Sequence, residues 1–324
     1  MIYRDLSSVP DWSWLLWDAV NSVSSVDLSS FSCAARCSLS ELRDTILSWC
    51  EIGVPLRFIA EHRVTLDKFG HFWVDTSRLA NIVSSPVISC VTCSSTQDMA
   101  FSHKQKEPFV VFWAEYQSNG RGRNSRSWVS PISQGLTFSV GWHTPYSGES
   151  HDGLSLMISL VVLEVLHAFG HTQVVLKWPN DLLLSLTLQK VSGILVEQTR
   201  NRIVAGIGIN LPVLLSIDSG NQKLQLQQHR ERMAVAIINK LRAYLSLFRK
   251  YGFQYFKSSW IRHHIFKNSY LLIRTSREDC YGWCAGIHSS GALLLRGTGN
   301  VVNKFFSGDV SLCRRSSDNG LLSC

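Results

Sequence analysis

Apolar residues at Trp12, Leu15, Leu16, Ala19, Val20 and Val23 recur at helical spacing, and Asp27 stands where it would cap a second helix. Ser38 followed by Glu41 forms a capping-box pattern, which predicts a third helix through Leu42, Ile46, Leu47 and Trp49 that stops at Gly53. Pro55–Ala60 and Gly70–Val74 then read as two short strands around a polar turn. Three helices and a hairpin within about 70 residues follow the order of a winged helix-turn-helix.

Between Asp75 and Pro86 the periodicity fades, and Ser84-Ser85-Pro86 reads as a linker. Beyond it, Val87–Val91, Phe109–Tyr116, Leu136–Val140, Val174–Lys177, Ile194–Glu197 and Ile203–Ile209 are strand-like, and Leu154–Phe169 is a strongly apolar helix. Arg230–Tyr251 is a long amphipathic helix with Met233, Ile237, Leu241, Tyr244, Leu245 and Phe248 on one side. From Tyr270 to Leu312 short strands alternate with glycine-containing turns, which fits a small β-barrel of about 50 residues. The predicted fold class is α+β: a winged helix-turn-helix over 1–83, a central α/β domain on a mixed sheet over 84–265, and a C-terminal SH3-like barrel over 266–324.

Composition refines this picture in three ways. The 324-residue chain carries a formal charge of +8, but residues 1–85, with 7 basic and 10 acidic side chains, sum to −3, and the remainder to +11. Positive charge therefore sits with the central domain, and a net acidic N-terminal segment is a poor electrostatic partner for DNA. Its third helix offers Arg43 against Glu41, Asp44 and Glu51. Nine cysteines, an odd number, and an N-terminus without a signal-peptide pattern point to a reducing cytoplasm. Three close pairs, Cys33/Cys37, Cys90/Cys93 and Cys280/Cys284, lack the second Cys/His pair of a zinc site. Glu164 and His167 interrupt the run from Leu154, which is also short for a membrane span, so a buried core helix is expected.

Candidate chemistry concentrates in four segments. Glu115–Trp128 holds Arg121, Arg123 and Arg126 with Gly120 and Gly122 in one loop. Glycines let the backbone approach a ligand, and guanidinium forks match phosphate or carboxylate oxygens, so a polyanion is the expected guest. A solvated basic loop or a nucleic-acid contact would use the same residues. Lys177-Trp178-Pro179-Asn180-Asp181 places amine, amide and carboxylate in a turn after a strand, where either ligand binding or simple capping would use them. Lys190 precedes the buried run Gly193–Glu197 and could neutralise an anion at the sheet's mouth or merely be solvated. Gly206-Ile207-Gly208-Ile209-Asn210 lacks the full dinucleotide fingerprint, and no Walker A pattern occurs.

Taken in order, Ser94-Ser95-Thr96-Gln97, the Gln117–Arg123 loop with Trp128, Lys177–Asp181, Lys190–Glu197 and Gly206–Asn210 resemble the biotin–protein ligases. Gly286–Leu295 and Gly308–Leu312 resemble that family's C-terminal domain, and the N-terminus resembles the winged helix of members that double as repressors. The resemblance implies a two-step reaction. The biotin carboxylate attacks the α-phosphate of ATP, with Mg²⁺ on the phosphates, and the adenylate then acylates a lysine of a biotin carboxyl carrier domain.

By the same resemblance Ser95, Thr96, Gln97 and Gln117 hold the biotin head group. Arg121, Gly122 and Arg123 close over the carboxylate, with Lys190 on the reacting oxygen. Gly120, Arg126, Trp128, Asn180, Asp181 and Asn210 serve the nucleotide. Lys190 and Arg123 are the expected catalytic residues, and no metal ligand is assigned. A homodimer is compatible with the family, as is a biotin-responsive repressor role, and lipoate–protein ligases share the catalytic fold. The chain departs from the family pattern at Asn124 and Ser125, which replace the later Arg-Gly of the loop, at Ser94 and Gln97, where Asp and Asn are usual, and at Cys313, where Arg often stands.

Overall fold

The computed structural model describes residues 16, 19–20, 25–51, 56–66, 74–104, 106–130, 134–144, 151–199, 201–215, 229–315 and 322–323. The chain divides into two compact units, one running up to His143 and resuming at Arg202–Glu231, the other formed by Thr144–Asn201 and Arg232–Cys324.

In the first unit β1 (Val26–Asp27) leads into α1 (Leu28–Ala35), whose N-cap Asp27 accepts the Ser30 N–H at 2.9 Å. Helix α2 (Leu39–Glu51) opens with the predicted capping box: Ser38 N–H donates to Glu41 Oε2 at 2.9 Å, and Glu41 N–H to Ser38 Oγ at 3.2 Å. Strand β2 (Leu56–Ala60) lies where a strand is expected, but its partner β3 is Arg63–Leu66. The turn is thus only two residues long, because Val64 is the apolar residue able to reach the core. Of the expected strand Gly70–Val74, only Val74 lies within the described residues, as do only Leu16, Ala19 and Val20 of the Trp12–Val23 helix. Leu16 and Val20 pack with Leu28, Leu42, Ile46, Trp49 and Val64 in one apolar cluster.

The expected linker is a helix in part: α3 (Thr76–Val83) is capped by Asp75, which accepts the Arg78 N–H, and ends at Ser84 in the left-handed region. Leu79 and Val83, four residues apart, are its only buried apolar pair, a weak periodic signal in sequence. Beyond it, β4 (Val87–Cys93) runs parallel to β5 (Phe109–Gln117), and α4 (Thr96–Ser102) connects them. β5 pairs antiparallel with β8 (Gly135–His143), which pairs antiparallel with β12 (Arg202–Asn210). A mixed sheet results, as expected. Between β5 and β8, β6 (Gly120–Arg121) and β7 (Ser127–Trp128) form a small hairpin of their own. A short helix, α6 (Leu211–Leu215), follows β12, where the sequence carries no helix signal.

The second unit contains α5 (Leu154–Ala168), apolar on nearly every side and buried to match, the core helix that the sequence predicts. Among the described residues no helix is long and apolar enough to cross a membrane. Strands β9 (Val174–Lys177), β10 (Asp181–Leu184) and β11 (Lys190–Gln198) run antiparallel in sequence order. Helices α7 (Arg230–Tyr251) and α8 (Lys257–Arg262) follow. The C-terminal strands β13 (Tyr270–Arg274), β14 (Asp279–Ile287), β15 (Leu293–Arg296), β16 (Val302–Phe305) and β17 (Asp309–Leu312) make a five-stranded sheet in the order β16-β15-β14-β13-β17. This sheet is open rather than closed into the expected barrel, and the edge strand β16 carries the exposed polar residues Asn303 and Lys304, which suit a solvated edge. Seven cysteines are free thiols, Cys313 is disulfide-bonded, and no cluster of three or more His, Cys, Asp or Glu side chains occurs among the described residues.

Candidate functional site

The end of β4 delivers Ser95, Thr96 and Gln97 into the first turn of α4, and all three are buried. Ser95 is the N-cap: its Oγ accepts the Gln97 N–H at 3.3 Å. Thr96 N–H donates to Gln117 Oε1 at 2.7 Å, and Thr96 Oγ1 lies 3.1 Å from that same oxygen and 2.8 Å from Ser139 Oγ. Ser139 donates to Gln97 Oε1 at 3.1 Å, and Gln97 Nε2 donates to the Val204 carbonyl at 3.2 Å. Four of the expected residues thereby converge, three of them in one connected hydrogen-bond chain with Gln117 half exposed at its mouth.

The arginine–glycine loop starts directly beyond Gln117. Ser118 N–H donates to Cys93 O and Asn119 N–H to Ser94 O, which tie the loop to the turn that carries Ser95. In the hairpin Gly120 opposes Trp128 and Arg121 opposes Ser127, and a Cβ on Gly120 would lie 2.4 Å from the Trp128 carbonyl oxygen and 2.8 Å from Gln117 Nε2, so only glycine fits. The tip is closed by Gly122 N–H to Arg126 O at 2.7 Å and Arg126 N–H to Arg123 O at 3.1 Å. Asn124 and Ser125 both have positive φ, 54° and 58°. Asn tolerates the left-handed region and Ser does so at a cost, so the departure from Arg-Gly leaves a stiffer tip. Arg121 is ion-paired with Asp98 of α4. The Trp128 indole packs against Gly208 of β12, where an added Cβ would come within 2.4 Å of the ring. Asn210 ends the same strand opposite Gly135.

The second unit holds the remaining expected residues. Trp178, buried, donates its indole N–H to Gly291 O at 3.0 Å, and the Trp178–Pro179 peptide is cis. Asn180 Nδ2 donates to Ile194 O at 2.7 Å while Ile194 N–H donates to Asn180 O at 3.0 Å, so this side chain clamps the turn to β11. Lys190, exposed at the start of β11, has its ammonium 2.7 Å from Asp181 Oδ1.

Sequence reasoning passed over Ser139, Asp98 and the buried pair of Arg230 with Glu115. Ser139 had a readable signal: Thr137 and Ser139 are hydroxyls two apart on an otherwise apolar strand, and both are buried. Arg230 had none, because its partner is 115 residues distant in the chain.

Residues 88–213 match the model of the Biotin/lipoate A/B protein ligase family. Over 211 residues the chain is 37% identical to the bifunctional ligase/repressor BirA of Salmonella typhimurium, covering 61% of this chain and 65% of that protein. It is 29% identical over 207 residues to the biotin–[acetyl-CoA-carboxylase] ligase of Paracoccus denitrificans, covering 57% of this chain and 82% of that one. The chain thus spans 65% of the length of the BirA relative. The biotin protein ligase of Aquifex aeolicus, solved in complex with biotin and ATP, superposes with a TM-score of 0.60 at 25% identity over 71% of this chain and 99% of that one. Through residues 88–213 the chain is thus similar to the biotin/lipoate A/B protein ligase family.

Proposed function

We propose that this protein is an ATP-dependent biotin–protein ligase, which forms biotinyl-5′-AMP and passes biotin to a lysine of a biotin carboxyl carrier domain. One observation carries the reading: the buried chain Gln97–Ser139–Thr96–Gln117 opens through the Gln117 amide onto Gly120 and the arginine hairpin. A neutral polar ring and an anion could therefore be held side by side. The likeness to the Aquifex aeolicus ligase, which binds both biotin and ATP, supports it.

The chemistry asks the protein to bring two anions together. In the first step a biotin carboxylate oxygen bonds to the α-phosphorus and pyrophosphate leaves. In the second the carrier lysine's amine attacks the acyl carbon and AMP leaves. Ser95, Thr96 and Gln117 hold the head group with Gln97 bracing them from behind through Ser139, while Arg121, Gly122 and Arg123 close over the carboxylate. Lys190 contacts its reacting oxygen. Arg126, Trp128, Asn180, Asp181, Asn210 and the Gly120 backbone serve the nucleotide. Arg121 and Lys190 each rest on a carboxylate, Asp98 and Asp181, and each would exchange that partner for an anionic ligand oxygen. Fixed cations aimed at the developing charge supply the main catalytic effect. Mg²⁺ would arrive on the ATP phosphates and offset their charge.

In this reading residues 1–83 form a winged helix, 84–265 the catalytic domain and 266–324 a small C-terminal β domain on the open five-stranded sheet. The winged helix is structural rather than a DNA reader, because Arg43 is engaged within it: Nη1 donates to Glu61 O at 2.6 Å and the guanidinium lies 5.1 Å from the centre of the Phe58 ring. Among the described residues seven free thiols against one disulfide-bonded cysteine, Cys313, suit the cytoplasm. A homodimer is compatible with this assignment.

The deciding experiment is biotin-dependent exchange of labelled pyrophosphate into ATP by the purified protein, with lipoate as the parallel substrate. Exchange with biotin alone is expected; exchange with lipoate alone would move the assignment to the sister enzymes, and exchange with neither would refute the ligase. In the same assay Gly208→Ala, whose new methyl must displace the Trp128 ring, is expected to raise the KM for ATP at least about tenfold, roughly the cost of one lost stacking contact. An unchanged ATP KM would remove Trp128 from the nucleotide side.

A further inference from the structure

We propose that Ser139 is a positioning residue that makes Thr96 a pure hydrogen-bond acceptor, and leaves Gln117 a donor, toward the bound ring, so that the site selects a cyclic urea. The inference rests on the ligase reading and adds to it the group that sets ring specificity.

The Val204 carbonyl can only accept, so the Gln97 side chain must turn Nε2 toward it and Oε1 toward Ser139. Oε1 can only accept, so Ser139 spends its single hydroxyl proton there. Ser139 then offers Thr96 nothing but lone pairs at 2.8 Å, and the other neighbour of Thr96 Oγ1, Gln117 Oε1 at 3.1 Å, is also an acceptor. Ser139 Oγ is the nearer of the two, and Gln117 Oε1 already accepts the Thr96 backbone N–H, so the Thr96 hydroxyl proton goes to Ser139 and is used inside the protein. Its oxygen therefore faces a ligand as an acceptor. Gln117 Oε1 is held by the Thr96 backbone N–H at 2.7 Å, which turns Nε2 the other way, over Gly120, as a donor.

An acceptor beside a donor complements an N–H beside a carbonyl, the arrangement a ureido ring presents. A ring with oxygen in place of that N–H would set lone pairs against lone pairs in a buried site, which costs far more than in water. The chain also explains Gln97, which stands where the family usually has Asn. The longer side chain spans to β12, and Gly206 makes room for it, since a Cβ there would lie 2.8 Å from Gln97 Oε1.

The test uses full-length protein with biotin and with an analogue in which one ring N–H is replaced by oxygen, a cyclic carbamate. Wild type should favour biotin strongly in both titration calorimetry and pyrophosphate exchange. Ser139→Ala should raise the biotin KM about tenfold, the cost of one mis-set buried hydrogen bond, change kcat less than about twofold, and shrink the preference over the carbamate by about tenfold. Ser139→Thr, which restores a hydroxyl, should recover both values. Gln97→Met, which keeps length but loses the amide, should behave as Ser139→Ala does, and serves should that variant fail to fold. A Ser139→Ala enzyme with wild-type KM and preference overturns the proposal, as do Ala and Thr variants impaired alike, which would mark a packing effect. No biotin-dependent exchange by the wild type overturns the ligase reading and this proposal with it, whereas exchange by the wild type with an unaltered Ser139→Ala overturns this proposal alone.

Discussion

Lys190→Ala is expected to reduce biotin-dependent pyrophosphate exchange by about a thousandfold, the upper range for removing one preorganised charge partner of a reacting oxygen. Lys190 sits at the first position of β11, and its ammonium is 2.7 Å from Asp181 Oδ1. With its side chain 44% exposed, that ion pair is screened by solvent and worth no more than about 1 kcal/mol, so the variant should fold and melt almost as the wild type does. The loss should therefore fall on the reaction and not on stability. Biotin should still bind, weakened far less than turnover, because the head-group contacts proposed for Thr96 and Gln117 would be untouched. Arg123→Ala should be comparably inactive. Exchange within tenfold of wild type in Lys190→Ala would remove this lysine from the reacting oxygen.

Much of this arrangement is local in sequence and was legible there. Ser38 and Glu41 announce a helix start because both halves of the capping box lie within four residues, and Gly120–Arg126 marks a candidate anion site because its charge and glycines are contiguous. The apolar run of α5 declares burial without reference to any partner. Other features depend on residues far apart. The strand β3 lies nearer to β2 than the hydropathy pattern suggests, since a two-residue turn carries no glycine or proline to mark it. Helix α3 rests on one apolar pair, too short a signal to separate from a linker. The C-terminal strands were visible one by one, but whether β16 and β17 pair with each other is a matter of register across 270–312, which alternation cannot encode. Ser139 matters through Val204, Gln97 and Thr96, brought to it by three different elements.

Arg230 belongs to the same non-local class, and Arg230→Ala should give the largest loss of stability, about 3–5 kcal/mol in urea unfolding. Its side chain is 1% exposed. Nη2 donates to Glu115 Oε2 at 2.7 Å and Nε to the Gly135 carbonyl at 3.0 Å, while the guanidinium lies 5.8 Å from the Trp113 ring centre. Glu115, whose side chain is 4% exposed, also accepts the Trp113 indole N–H at 3.0 Å and the Val74 N–H at 3.3 Å. Removing the cation leaves a carboxylate in a site without water to solvate it, and the desolvation cost is no longer offset. The effect should reach the candidate site, because Glu115 lies two residues before Gln117 on β5 and Gly135 opposes Asn210 across β8 and β12. Glu115→Gln, neutral and still able to accept, should cost less than Arg230→Ala. The double variant Arg230→Met/Glu115→Leu should recover part of the loss, since neither charge then needs its partner, while the Val74 and Trp113 N–H groups and the Gly135 carbonyl lose theirs. A loss below about 1 kcal/mol in Arg230→Ala would mean that water reaches Glu115, and that packing of β5 against β8, not this ion pair, holds Gln117 in place.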